Sequence, residues 1–291
     1  MKLNKCILTD LGSVNRGKSK HRPRNDKSLF GGVYPFIQTG EVKSANFYLD
    51  KYSATYNEKG LSQSKLWNEG TLLITIAANI AETAILDIKA CFPDSIIGFL
   101  PYENKSDVRF VKYYLDYIKR KLQSISQGTT QDNMSVEKLT SMPLLVPNYD
   151  VQVKIANLLS NYDYLIENNF KRIKVLEDMA EELYKEWFIR FRFPNYKNTK
   201  IDDGIPEGWK EQRIFDFGKV IIGKTPLTSK EEYYKGSIPF VKTPDFKQGV
   251  YIITTEETLS ESGVKTQPNQ YIPKNSICVS CIGTVGEVVI T

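Results

Sequence analysis

Between Gln152 and about Phe191 a seam recurs at alternating steps of four and three residues: Ile155, Leu159, Tyr162, Ile166, Asn169, Ile173, Leu176, Ala180, Leu183 and Trp187. Only Asn169 is polar. A 3.5-residue repeat is the seam of a coiled-coil-type helix, narrower than the face of a core helix. No Gly or Pro interrupts it. At 1.5 Å per residue, about 40 residues make a rod of roughly 60 Å, which needs a second helix along its seam. Asn169 can fix the register of that pairing. The flanks carry mixed charge (Lys171, Arg172, Lys174, Glu177, Asp178, Glu181, Glu182, Lys185, Glu186), as solvated faces do.

Ahead of the rod the pattern is that of a mixed domain. Residues 71–77, Thr-Leu-Leu-Ile-Thr-Ile-Ala, read as a buried strand. Val108, Val111, Leu115, Ile118 and Leu122 share one helix face, with Ser106 or Asp107 as N-cap. A further helix is expected around Ser135 to Leu139, and residues 143–147 predict a short strand bracketed by prolines. Asp150 can cap the rod. Residues 192–209 contain Pro194, Gly204, Pro206 and Gly208 without periodicity and read as a linker.

The segment beyond the linker repeats the one ahead of the rod. Residues 8–19 align with 214–225 at an offset of 206 (218 minus 12 at the shared glycine). Residues 35–39 align with 239–243 at 204, residues 71–75 with 276–280 at 205, and Ala81-Glu82 with Gly286-Glu287 at 205. The expected fold class is therefore α+β. Two mixed α/β domains occupy residues 1–147 and, incompletely, 210–291, separated by a long helix at 148–193 and a linker at 194–209. By the offset of 205, Thr291 corresponds to Leu86, so the second copy stops in mid-domain. The expectation is a truncated or rearranged product, with residues 210–291 marginal and the seam free to pair with a second chain.

Length and a 41% apolar composition suit two globular domains. Four cysteines make no disulfide framework, no apolar run approaches the 18 residues of a membrane span, and the start, Met-Lys-Leu-Asn-Lys, has no secretion-signal core. The cytoplasm is the expected compartment. The net charge of +5 is mild, so the placement of positive charge matters more than its sum.

Both copies contain G-x-x-x-x-G-K-[ST], at residues 12–19 and 218–225, the signature of a phosphate-cradling P-loop. Such a loop opens a helix, yet Pro226 follows Thr225, and Lys-His-Arg-Pro-Arg follows Ser19. Residues 220–222, Val-Ile-Ile, predict a strand, and the glycines read as turn residues. Asp94 with Glu103 and Lys105 loosely fits a nuclease metal site, but Glu103 and Lys105 lie in a turn-like stretch. Cys278 and Cys281 lack a second Cys or His pair for zinc. The lone histidine, His21, has no neighbouring cysteine for a nucleophilic dyad. No catalytic constellation emerges, and no metal site is assigned.

The densest positive charge is Arg16, Lys18, Lys20, Arg22, Arg24 and Lys27, with only Asp26 against it in sequence. In a basic, two-copy protein this run is expected to contact phosphates, with Lys224 and Lys242 as candidates in the second copy. Gln127, Thr129, Thr130, Gln131 and Asn133 form a polar loop around Gly128. Gln and Asn can pair with adenine and Thr can meet a thymine methyl. The same stretch can equally be a capping turn before the next helix.

These features resemble the specificity (S) subunit of Type I restriction–modification enzymes. The resemblance covers the whole chain: the two-copy plan, residues 127–135 near the end of the first recognition domain, residues 147–156 at the start of the helix, and Asp-Asp-Gly-Ile-Pro-Glu-Gly-Trp at 202–209. Val151 departs from the acidic residue usual in the family before Gln152. The resemblance implies that each target recognition domain reads half of a bipartite site in double-stranded DNA. It implies that the helix sets the spacing and docks methyltransferase (M) subunits carrying S-adenosylmethionine, while restriction (R) subunits carry ATP- and Mg²⁺-dependent chemistry. This chain would then be non-catalytic and without a cofactor of its own. The alternative is a P-loop or metal-dependent nuclease acting on DNA.

Overall fold

Two compact units, Met1–Arg190 and Phe191–Thr291, make up the computed structural model, which describes residues 2–126, 134–267 and 271–291. The first is built around the strand Leu72–Thr75, buried at all four positions. Leu72 and Ile74 join one core cluster and Leu73 another, as the period of two requires of a strand covered on both faces. It is the middle strand of a five-stranded sheet in the order Gly12–Arg16, Ile96–Pro101, Leu72–Thr75, Thr83–Leu86, Tyr48–Leu49. All pairs are antiparallel except the last. A four-stranded sheet (Ala54–Tyr56, Phe30–Phe36, Ala90–Cys91, Leu66–Trp67) supplies Trp67 and Ala90 to the Leu73 cluster. The Leu72 side packs Phe110, Val111 and Leu115 from the helix Val108–Tyr117, Leu139 from the helix Val136–Ser141, and Ala156 from the long helix.

Asp107 caps the helix Val108–Tyr117, its carboxylate accepting the N–H groups of Arg109 (2.9 Å) and Phe110 (3.3 Å). The single helix face expected from Val108 to Leu122 is in fact two helices, divided at Ile118, with Lys119–Ser126 as the second. The break keeps Leu122 in the core and brings Gln123 Nε2 to the Ile80 carbonyl at 3.1 Å.

The rod runs as an α-helix over Tyr149–Tyr184 and closes in a π turn at Lys185–Ile189. Asn148, not Asp150, caps it: the Asn148 side chain accepts the Val151 N–H at 3.2 Å, which leaves Asp150 in the first turn. Gln152, Ala156 and Ser160, one per turn, are buried against the domain. Gln152 Nε2 donates to the carbonyls of Pro147 (3.0 Å) and Lys105 (3.3 Å), while Oε1 accepts the Asp107 N–H (3.3 Å). Farther along, the Tyr113 hydroxyl donates to Asp163, and the Tyr48 and Tyr164 hydroxyls meet at 3.0 Å. From residue 168 to 184 every residue is exposed. Ile155 and Trp187 are half-buried, and the other eight seam positions are exposed. Leu158, Leu165, Phe170, Met179 and Tyr184 are exposed beside them. At 100° per residue, the apolar band covers roughly 180° of the circumference, broader than a two-helix seam.

The second unit repeats the elements of the first. The helix Ile214–Phe217 stands for Leu8–Leu11, Tyr234–Phe240 for Phe30–Phe36, and Glu257–Leu259 for Ala54–Tyr56. Ile277–Val279 and Val288–Ile290 stand for Leu72–Thr75 and Thr83–Leu86. Both long strands are bulged at the same place, between Phe30 and Tyr34 and between Tyr234 and Ile238. The cap Asn57 to the Gly60 N–H (3.0 Å) recurs as Ser260 to the Gly263 N–H (3.1 Å).

Two expectations fail here. Residues 220–222 form no strand. The matching strand Gly12–Arg16 is held by Ile96–Pro101, whereas no strand among the described residues pairs with 220–222. The linker is also not featureless: Ile201–Asp202 and Ile205–Pro206 form a hairpin whose turn residues, Asp203 (φ 46) and Gly204 (φ 82), are both left-handed, as a tight Asp-Gly hairpin turn requires. Trp209 closes it, stacked 5.5 Å from Phe193 and edge-on to Phe191.

Candidate nucleic-acid interface

The basic run leaves the sheet at Arg16 and is fixed from below by its backbone. Gly17 N–H donates to the Ile96 carbonyl (2.8 Å) and Lys18 N–H to the Phe92 carbonyl (3.0 Å). Gln63 Oε1 accepts the N–H groups of Lys20 (2.7 Å) and His21 (3.0 Å), and Ser64 Oγ donates to the Lys18 carbonyl (2.7 Å). Asp26 closes the loop by pairing with His21 Nε2 at 2.7 Å and accepting the Ser28 N–H at 2.9 Å. These contacts, with the Ser28 backbone bond first among them, hold the Asp26 carboxyl down at about 2.

Arg16, Lys20, Arg22 and Arg24 are exposed on this frame and Lys18 is half-buried. Arg24 pairs with Asp94, which also lies 3.7 Å from Arg22. Asp94 arrives from 70 residues away and adds a second acidic group to a run in which sequence reading counted only Asp26. The Arg22 guanidinium also donates to the Ser19 (2.7 Å) and His21 (2.8 Å) carbonyls. A cleft of about 430 Å³ opens beside the loop, lined by Arg24, Asn25, Gln38, Thr39, Ala77 and Ala78 among others. Sequence reading missed Asn25, Gln38 and Thr39. Gln38 and Thr39 stand in a repeat block, which was a signal for the fold but not for a surface.

Gln127, Thr129, Thr130, Gln131 and Asn133 lie outside the described residues. In the second unit Lys224 is exposed, whereas Lys242 pairs with Glu257 at 2.6 Å. The Lys242 N–H is held at 2.7 Å by Asp245, a buried carboxylate that also accepts the Glu256 N–H.

The P-loop geometry does not form in the first copy. Gly12–Arg16 is an antiparallel strand, the N–H groups of Gly17 and Lys18 are taken by carbonyls, and no helix follows Ser19, whereas a phosphate cradle needs free N–H groups ahead of a helix. Nor do the glycines make a turn: a Cβ at Gly12 would strike the Leu100 carbonyl and one at Gly17 the Pro93 carbonyl, so their role is close approach. Asn104 (φ 58) makes a turn between Glu103 and Lys105. Among the described residues, no three His, Cys, Asp or Glu side chains gather as a metal site. Among the described residues, no helix is long and apolar enough to cross a membrane.

The chain is similar to known proteins along most of its length. It is 28% identical over 225 residues to the specificity subunit of the Type I restriction enzyme HindI of Haemophilus influenzae, covering 57% of this chain and 49% of that protein. It is 27% identical over 278 residues to the specificity subunit of the Type I restriction enzyme MjaIX of Methanocaldococcus jannaschii, covering 93% of this chain and 64% of that one. The chain thus spans about half to two-thirds of the length of these relatives. The crystal structure of the S subunit of a Type-I restriction-modification system from M. genitalium superposes on the whole chain and on 70% of its own, with a TM-score of 0.53 at 16% identity, which is a likeness of fold. The family model for the Type I restriction modification DNA specificity domain matches residues 4–178 and again 206–291. With both copies matched, the chain belongs to the Type I restriction modification DNA specificity domain family.

Proposed function

We propose that the chain acts as a DNA-binding specificity subunit of a Type I restriction–modification complex. The first unit reads one half of a bipartite site in duplex DNA. The loop carrying Arg16, Lys18, Lys20, Arg22 and Arg24 lies on phosphates and positions the unit, while Gln127, Thr129, Thr130, Gln131 and Asn133 meet base edges. Lys224 and Lys242 do the phosphate work of the second unit. Chemistry belongs to other subunits: S-adenosylmethionine on the methyltransferase subunits, ATP and Mg²⁺ on the restriction subunit.

The observation that carries this reading is one fold unit present twice in the chain, with a long helix between whose apolar band is uncovered. Such a band has no function within its own domain. A rod between two readers serves as a ruler, and its uncovered band serves as a dock. The ruler is tested by deleting residues 166–172, one heptad, which keeps the seam in phase and shortens the rod by roughly 10 Å. The spacer of the methylated site should shrink by about three base pairs at 3.4 Å each, with both half-sites unchanged. Continued methylation of the original site at full rate would end the ruler model.

A further inference from the structure

The loop that follows the buried strand Leu72–Thr75 and the loop that follows its exposed counterpart Ile277–Val279 have one and the same frame. In the first, the Thr75 hydroxyl meets the Asn79 carbonyl, and the Glu82 N–H donates back to that hydroxyl at 3.0 Å. Ala78 (φ 62) and Ala81 (φ 61) take left-handed conformations. At an offset of 205 throughout, Ser280 meets the Thr284 carbonyl, the Glu287 N–H donates to Ser280 Oγ at 2.9 Å, and Gly283 (φ 81) and Gly286 (φ 92) are left-handed. The frame is constant while the residue at its tip changes, from Asn79 to Thr284.

The first of these loops is anchored on three further sides. Gln123 Nε2 holds the Ile80 carbonyl at 3.1 Å, Lys119 pairs with Glu82 at 2.7 Å, and the Met134 N–H donates to the Ile76 carbonyl at 3.0 Å. Ala77 and Ala78 form part of the wall of the cleft that Arg24, Asn25, Gln38 and Thr39 share. Asn79 follows Ala78 in the chain and is half-buried, and its side-chain amide makes no hydrogen bond to another described residue. An amide has one acceptor and a donor pair side by side, which matches the N7 acceptor and N6 donor that adenine shows in the major groove.

We propose that Asn79 is a base-reading residue that takes an adenine edge of the first half-site, with Thr284 in the matching position of the second unit, where its methyl suits thymine. The assignment rests on the DNA-reading role proposed above. Rigidity is what the loop contributes, because a side chain held by a fixed backbone discriminates between bases that a mobile one would accommodate.

The test is selection of duplexes from a pool with a randomised core by the full 291-residue chain and by its Asn79→Ala and Asn79→Asp variants, followed by sequencing. The wild type should enrich a sequence with one fixed adenine attributable to this position. Asn79→Ala should lower enrichment of that adenine by roughly 5- to 150-fold and leave the other fixed positions in place. Asn79→Asp, which keeps the size of the side chain, should move the preference toward cytosine, whose N4 donates to a carboxylate. A wild type that retains no duplex even at low salt overturns the DNA-reading role and this assignment with it. A wild type that retains duplexes without enriching any sequence, or three proteins that enrich the same sequence, overturns the role of Asn79 and leaves DNA contact standing.

Discussion

Asp94 shows how much a single residue alters the reading of the basic loop. A run of six cations with one acid in sequence becomes, once folded, a surface on which Arg22 and Arg24 share the Asp94 carboxylate. Exposed pairs of this kind contribute about 0–1 kcal/mol to stability, so the fold does not need Asp94. If the loop lies on phosphates as proposed, Asp94 offsets positive charge beside them. Asp94→Asn should therefore leave thermal stability within about 0.5 kcal/mol while strengthening retention of non-cognate duplexes at low salt. Unchanged or weaker retention would show that the two arginines do not face DNA. Asp26 acts differently. Its folded value of about 2 lies below the ordinary 3.8, so its contribution to loop order is complete above about pH 4 and is lost as pH falls toward 2. The hydrogen-exchange protection of the Ser28 amide should accordingly stay constant from about pH 5 to 9 and fail only in acid. Loss of protection near neutrality would exclude the Asp26 contact as its source.

At the scale of elements, the rod has two ends under different rules. Its first turns are locked by buried polar contacts that are fully paired. Gln152 satisfies three backbone groups at once, so Gln152→Ala leaves them unpartnered in a buried place and should cost about 2 kcal/mol or more, read by urea unfolding of the first unit. Burial and the Asp163 carboxylate both push the Tyr113 hydroxyl above its ordinary value, which keeps it a donor at every pH the protein meets. Beyond Tyr164 the logic reverses, and the apolar side chains face water. Ile173→Gln with Leu176→Gln removes no packing within the chain, so the unfolding midpoint should move by less than about 0.5 kcal/mol. Association with a methyltransferase subunit, or with a second copy, should be lost in the same variant when followed by analytical ultracentrifugation. Association undiminished by both substitutions would remove the band as the dock.

The rod was also the most legible element, because a period of 3.5 over ten positions is a long-range signal carried by local sequence. Its breadth was not legible from that seam alone, since Leu158, Leu165 and Phe170 lie just off it. Short elements were harder. The Asp203-Gly204 turn marked a hairpin, but two-residue strands carry no alternation to read. Asp107 against Ser106 as cap, and Asn148 against Asp150, turned on which side chain could reach an N–H. At the site, sequence placed the cations in one run but not Asp94, Gln63 or Gln38 beside it, because Asp94 and Gln63 meet the loop from 70 and 43 positions away and Gln38 shares only the cleft with Arg24.

At the scale of the whole molecule, one fold unit meets two environments. Leu8 is 1% exposed, and its counterpart Ile214 is 78% exposed; Leu72 is 0% exposed against 70% for Ile277. In the first unit the helices Val108–Tyr117 and Val136–Ser141 and the start of the rod cover this face, and nothing among the described residues of Phe191–Thr291 takes their place. Each large side chain left in water forgoes about 1.5–3 kcal/mol of burial, and the second unit's strands stand in separate two-stranded pairs, which are marginal by themselves in water. The two units should therefore differ in stability despite sharing a plan. Limited proteolysis of the purified 291-residue chain, followed by mass spectrometry, should cut within residues 210–291 well before residues 2–126 are touched, because cleavage under native conditions samples the open population of each region. Equal resistance in the two units would mean that the exposed face of the second is covered in solution. The same digestion at rising protein concentration would then separate self-association, which protects in proportion to concentration, from a second unit that is stable as it stands.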